Sequence, residues 1–395
     1  MKLIRKNNNT LYPNNFKIVF GIALLSNLGM CMTNALVSSY VDQIGGTISE
    51  VGMIGSAFAL TALLLKPISG PTINSFDRKK ILMFSNTLMT LSSCVLFLSQ
   101  SVYQVLLARM ILGCGFALTI ATNLTLASEM ADGDNLSKVI STFSLSEVLA
   151  SAIGPTLGIK LNTMFNMKTV FAIAIIFNFT ALLLTFVLPN IKQKAKVKEH
   201  RKVSLKGMFE RKSIPAALML LFLGITNASI GSYALLYFTD IGITDSSLYF
   251  TLSAIVIIFS KPLLNYLLNK IDENKILIAS LIFLFAAFVL MGMNSWTLIL
   301  VSSIIYAIGK GICHPLLQAK GMEDVEEDRR GSASATCYTG SDLGSFFGPI
   351  ICSQLVSSLN YSFMFICMTV FIILIYIINV LFNRSNNFHN NVETN

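Results

Sequence analysis

Long apolar runs, broken by short polar gaps, fill this sequence. A helix needs about 20 apolar residues to cross the hydrocarbon core of a bilayer. Twelve runs are of that order: 17–38, 50–72, 80–99, 103–126, 139–160, 169–189, 213–236, 247–268, 275–293, 296–318, 333–357 and 362–383. Most gaps are too short to hold a soluble domain. The longest, 190–212, opens at Pro189-Asn190 and carries Lys192, Lys194, Lys196, Lys198, Arg201, Lys202, Lys206, Arg211 and Lys212. The pattern predicts an all-α membrane protein of twelve transmembrane helices. A first half over 1–189, a polybasic cytoplasmic linker over 190–212 and a second half over 213–395 divide it.

The halves repeat each other. Lys66-Pro67 through Asn74, Asp77 and Lys80-Ile81-Leu82 recurs 195 positions later as Lys261-Pro262 through Asn269, Asp272 and Lys275-Ile276-Leu277, with seven of 17 positions identical. Tyr40, Ile44 and Gly45 recur as Tyr237, Ile241 and Gly242, Gly113 and Gly115 as Gly309 and Gly311, and Gly154-Pro155 as Gly348-Pro349. Four features at nearly one offset, in chain order, indicate a duplicated six-helix unit. Such bundles place a substrate site between their halves.

Composition agrees. Apolar residues make up 54% of the chain and charged residues 12%, against about 25% charged in soluble domains. The net charge of +9 marks topology and not nucleic-acid binding, because the basic residues sit in gaps between runs. Of the 29 Lys and Arg, 23 fall on one side, only Lys160 and Lys168 on the other, and four within runs. Basic loops resist translocation, so both termini are expected in the cytoplasm of a plasma-membrane protein. The seven cysteines form no CxxC pair and no metal-spaced set, so no metal site is expected. The first run follows 16 mostly polar residues and is long enough to stay in the membrane, so no cleaved signal peptide is expected. Richness in Asn, Lys and Ile points to an AT-rich bacterial genome.

The fifth run spaces Ser146, Ala150, Gly154 and Gly158 four apart, with Pro155 beside Gly154; the eleventh spaces Gly340, Gly344 and Gly348 likewise, before Pro349. Four-residue spacing puts small residues on one helical stripe, where a neighbouring helix approaches closely. Proline removes a backbone hydrogen bond and permits a bend. The stripes read either as tight packing or as helices that seal one mouth of a carrier.

These residues carry a resemblance. The chain resembles the major facilitator superfamily, and within it the twelve-helix drug and metabolite efflux branch. Gly70 through Leu82 is similar to that family's loop between helices two and three, matching at Gly70, Arg78 and Lys79. It departs at Asn74, Ser75 and Asp77, which leaves Asp77 as the acidic residue of that loop. Arg109 through Gly113 resembles the fourth-helix signature, whose arginine is linked to proton coupling. The Gly154-Pro155 stretch resembles the antiporter signature, and Arg330 through Gly344 the start of the eleventh helix in the efflux branch. The resemblance implies proton-coupled efflux along a pathway lined by helices one, four, seven and ten. Asn34, Asn123, Asn227 and Tyr233 are then candidate pathway contacts.

Ionisable residues inside runs cost at least about 2.5–3.5 kcal/mol each at the centre of a spanning helix, so each needs a partner or water. Glu147 and Asp342 hold nearly equivalent places in the two halves; Arg109 lies in the fourth run, and Lys310 and His314 in the tenth. One reading gathers Glu147, Asp342, Arg109 and Lys310 around a central cavity; the other pairs them structurally between helices. Desolvation favours the uncharged carboxyl group, which suits it to exchange protons near neutral pH. Glu147 is the first candidate proton carrier and Asp342 the second. His314, beside Pro315, reads as a packing histidine before a pathway contact. Lys66 and Lys261 read as lysines that reach the inner headgroups.

The sequence therefore predicts a monomeric secondary transporter. It would export a drug, a metabolite or a metal-chelating metabolite by alternating access, driven by the proton gradient without another cofactor. An importer on the same fold is the close alternative; a transport-dead sensor is a remoter one. No HExxH, GxSxG or nucleotide loop occurs, which argues against a membrane enzyme and against ATP-driven transport.

Overall fold

The computed structural model describes residues 14–130, 136–189, 210–243, 246–323, 325–326 and 329–393. Twelve long helices form it: α1 (Asn14–Gln43), α2 (Ile48–Ser75), α3 (Arg78–Leu98), α4 (Val102–Glu129), α5 (Leu136–Met164), α6 (Met167–Val187), α7 (Ile214–Asp240), α8 (Ser247–Leu268), α9 (Glu273–Met291), α10 (Trp296–Lys320), α11 (Arg330–Ser358) and α12 (Tyr361–Glu393). The helices overshoot the apolar runs by a turn or so, because helical hydrogen bonding continues past the hydrocarbon edge until a cap stops it. Thr47 and Glu50 form a capping box on α2; Asp77, Asn166 and Asp272 cap α3, α6 and α9. Most of the predicted linker, 190–209, lies outside the described residues.

Below, the near end of the bundle is the one where α1 begins, and the far end is the one with the α1–α2 turn. Among the described residues, ten helices are long and apolar enough to cross a membrane; α5 and α11 are the two long helices left out. Their serines, glycines and carboxylates lower their hydropathy, and neighbours from both halves flank them. A helix shielded from lipid by protein does not need an apolar surface.

Packing repeats with the sequence. In the first half α1 packs on α5 and α6, α2 on α4, and α3 on α4 and α6; in the second, α7 packs on α11 and α12, α8 on α10, and α9 on α10 and α12. Two seams join the halves, α2 against α11 and α5 against α8, with α1 meeting α7 between them. Small motifs repeat too. The Tyr40 hydroxyl donates to the Ser99 carbonyl at 2.5 Å and the Tyr237 hydroxyl to the Met291 carbonyl at 2.8 Å, which ties α1 to α3 and α7 to α9 at the far end. The glycines after them, Gly45 and Gly242, both turn the chain at φ near +80° (83° and 81°), a conformation costly for other residues.

The small-residue stripes face helices of their own half. A Cβ on Gly154 would stand 2.6 Å from Cys31 Cβ and 3.1 Å from the Met32 amide of α1; one on Gly348 would stand 2.6 Å from Ala228 Cβ of α7, and one on Gly344 2.9 Å from Gly224 Cα. The stripes thus fuse α5 to α1 and α11 to α7 as rigid units, and the mouth-sealing role falls to other faces of these helices. Gly154→Leu is expected to overpack this contact, at a cost of about 1–3 kcal/mol or more. Gly21→Ala, whose Cβ would meet only Leu184 Cδ1 at 3.6 Å, is the tolerated control. Folded yield and melting temperature in detergent compare the two.

The near end is tied within each half. Asp77 accepts from the Lys80 amide at 3.2 Å, and Arg78 pairs with Glu129 at the end of α4. Lys79 donates to the Phe186 carbonyl at 2.8 Å. Where the chain re-enters before α7, Glu210 pairs with Arg329 at 2.5 Å, and that guanidinium holds the Glu210 carboxyl below its usual range. Asp77 and Arg78 thus hold the near ends of α3 and α4 within one half.

Candidate transport pathway

The two seams each carry a lysine and a carboxylate of the helix interior. On α2 and α11, Lys66 Nζ lies 2.5 Å from Asp342 Oδ2, and the same ammonium sits 5.8 Å from the Tyr338 ring centroid. On α5 and α8 stand Glu147 and Lys261, within electrostatic reach but not in ion-pair contact. Lys66 and Lys261 are separated by 195 residues, and so are Glu147 and Asp342. The duplication therefore produced one lysine–carboxylate pair per seam, with the partners crossing from one half to the other. Both acids sit about three turns from the near end of their helices.

The pair on α2 and α11 is joined and the pair on α5 and α8 is parted. The other described hydrogen bonds between the halves lie towards the far end. Ser56 Oγ donates to the Phe346 carbonyl at 2.7 Å across α2 and α11, and Thr251 Oγ1 lies 3.3 Å from Thr156 Oγ1 across α8 and α5. Gly52 and Gly55 bring α2 within van der Waals contact of Pro349. The halves thus touch towards the far end of both seams, while Glu147 and Lys261 stay apart nearer the other end of theirs. Two mainly apolar hollows of about 310 and 340 Å³ lie along these seams; Lys160 lines the second, and neither is lined by Lys66, Asp342, Glu147 or Lys261.

Glu147 shares a small hollow with Asn27, Phe116, Asn123 and Phe143. Asn27 and Asn123 are buried, and Asn123 Oδ1 has no hydrogen-bond partner. Cys31 of α1 lies within electrostatic reach of both Glu147 and Lys310, so the first half's acid and the second half's lysine face one region. Lys310 Nζ stands 5.6 Å from the Tyr306 ring centroid, and the Tyr306 hydroxyl donates to Asn227 Oδ1 at 2.6 Å, which links α10 to α7. His314, one turn along α10, lies within electrostatic reach of Lys310 and Lys261.

Three expectations change. Arg109 does not join the others: it bonds Asn34 Oδ1 and the Ile54 carbonyl and lies 4.8 Å from the Phe58 ring centroid. It stands 14 residues from Asn123 along α4, about 21 Å at helical rise, so it knots α1, α2 and α4 near the far end. Tyr233 is fully buried, and its hydroxyl donates to the Pro349 carbonyl at 2.9 Å. It fastens α7 to α11 and does not face a pathway in this state. Lys66, read as a headgroup lysine, is paired with Asp342 in its seam, whereas Lys261 is exposed. Tyr306 was the residue without a sequence signal; nothing in its flanks distinguishes it from the chain's other aromatic helix residues.

A twice-repeated six-helix bundle with its charges in the seams has the architecture of a membrane carrier. The family model described as Major Facilitator Superfamily matches residues 19–271 and 216–392, and the chain belongs to that family. It is a transporter and not an enzyme. It is 24% identical over 349 residues to the "Multi-drug resistance efflux pump PmrA homolog" of Lactococcus lactis, covering 85% of this chain and 86% of that one. It is 24% identical over 375 residues to "Multidrug resistance protein 2" of Bacillus subtilis, covering 89% and 92%. Its fold superposes on the crystal structure of the nucleoside transporter NupG with a TM-score of 0.79, at 13% identity and covering 94% of this chain and 99% of that one.

Proposed function

We propose that this transporter exports a small organic molecule in exchange for protons. Export is the direction named for the Lactococcus lactis relative, an efflux pump. The observation that carries the coupling is Glu147, a carboxylate without a contact ion pair. It is packed beside the unsatisfied Asn123 and lies within electrostatic reach of Lys261 across the seam. A carboxylate so placed binds a proton or faces a cation, but not both, and that exclusion can couple proton binding to seam closure. The near end, which begins α1, would be cytoplasmic, so the structure would be open to the cytoplasm. The protein would work as a monomer in the plasma membrane, with the proton gradient as its energy source.

The test is a panel of drugs and metabolites measured inside cells with and without the chain. The proposal expects lower accumulation of at least one compound in cells that make it, abolished by a protonophore. Higher accumulation with the chain present would show import instead.

A further inference from the structure

Glu147 has a partner that this structure holds just out of contact. The α2–α11 and α5–α8 seams are equivalent, because each joins the second helix of one half to the fifth of the other. Lys66 and Lys261 occupy the same place in the repeat, as do Asp342 and Glu147. In the first seam the pair is made, at 2.5 Å. In the second the groups are close enough to interact through space and too far apart to touch. The Thr156–Thr251 contact joins α5 to α8 towards the far end, and the hollow lined by Ile153, Ala254 and Ile258 leads from it along α8 towards Lys261. Rotation of α5 and α8 towards each other about these far-end contacts would bring Glu147 and Lys261 together.

We propose that Lys261 is the positioning residue for proton coupling: a Lys261–Glu147 ion pair closes the near end of the α5–α8 seam, as Lys66–Asp342 closes that of α2–α11, and a proton on Glu147 releases it. With both pairs made, the near end is shut. With Glu147 protonated its charge is gone, Lys261 loses its counter-ion, and the seam opens to the state seen here. Proton uptake from the far side then drives the near end open, and proton loss at the near side permits closure. The other groups beside Glu147 are Cys31 and the amide Asn27 of α1 and Asn123 of α4; His314 of α10 lies within electrostatic reach of Lys261. None of these is a second carboxylate, so Glu147 is the acid that Lys261 reads. This inference rests on the proton-exchange reading of Glu147, but its test does not depend on the substrate or on the direction of transport.

The experiment is a distance measurement by electron–electron double resonance. Spin labels replace the exposed Leu145 of α5 and Leu263 of α8 in the full chain, reconstituted in lipid at pH 8 and pH 5.5. The expected result is a short-distance population that dominates at the higher pH and recedes at the lower. Lys261→Met should remove the short population at both pH values, and Lys261→Arg should keep the pH response, which a merely structural lysine would not require. Glu147→Gln should hold the long distance throughout. A pH response that survives Lys261→Met overturns the proposal, as does one that Glu147→Gln leaves intact. If the distance follows Glu147 and Lys261 while transport proves indifferent to protons, the pair stands and the antiport reading falls.

Discussion

Glu147→Gln is expected to abolish the ability of a pH gradient to drive transport. One pH unit is worth about 1.4 kcal/mol per proton, so a one-proton exchanger can hold about a ten-fold substrate gradient per pH unit. Glutamine keeps the size and polarity of the side chain and removes the exchangeable proton. In everted vesicles the variant is expected to lose that gradient, while substrate added to both sides still exchanges down its own concentration difference. Gradient-driven accumulation equal to that of the native chain would remove Glu147 from the coupling mechanism. Loss of exchange together with accumulation would assign it a structural or binding role instead.

Breaking the joined seam has the second large effect. Lys66→Met leaves the Asp342 carboxylate without its cation, and Asp342→Asn leaves the Lys66 ammonium without its anion. Removing one partner of a fully buried pair costs about 3–5 kcal/mol. Here the side chains are 33% and 23% exposed, so water offsets part of that, and about 1–2 kcal/mol is the expected loss. Each single variant should melt at lower temperature and transport about ten-fold more slowly, in line with that energy. The exchanged double variant, Lys66→Asp with Asp342→Lys, restores the pair and should recover most of both. A double variant no better than either single one would mean that the seam needs the residues and not the charge pair.

Much of this architecture was legible in the sequence. The twelve apolar runs fix the helices, because lipid demands continuous apolar length. The Lys-Pro and Gly-Pro repeats mark the duplication. Small-residue stripes correctly signalled close helix approach, but spacing alone does not say which neighbour approaches, and the stripes turned out to face α1 and α7. The same limit applies to Arg109. Its position in an apolar run says that it needs partners, and Asn34, the Ile54 carbonyl and Phe58 supply them without any carboxylate. Lys66 was misread for a different reason. A lysine near a helix end can reach the headgroups or turn inward, and the choice depends on what the neighbouring half presents. The 195-residue offset shared by both lysines and both acids held that information, since two equivalent pairs crossing two equivalent seams are hard to reconcile with surface anchoring. Tyr306 became visible only when folding set its hydroxyl against Asn227 and its ring beneath Lys310.

Two halves that rock about the seams must open one end as they close the other. With the seven native cysteines replaced, spin labels at the exposed positions Leu145 and Leu263 would report the near end of α5 and α8, and labels at Met164 and Leu248 the far end. Across pH and added substrate, the near-end distance is predicted to shorten whenever the far-end distance lengthens. Distances that rise and fall together, or that never move while transport proceeds, would contradict alternating access in this protein.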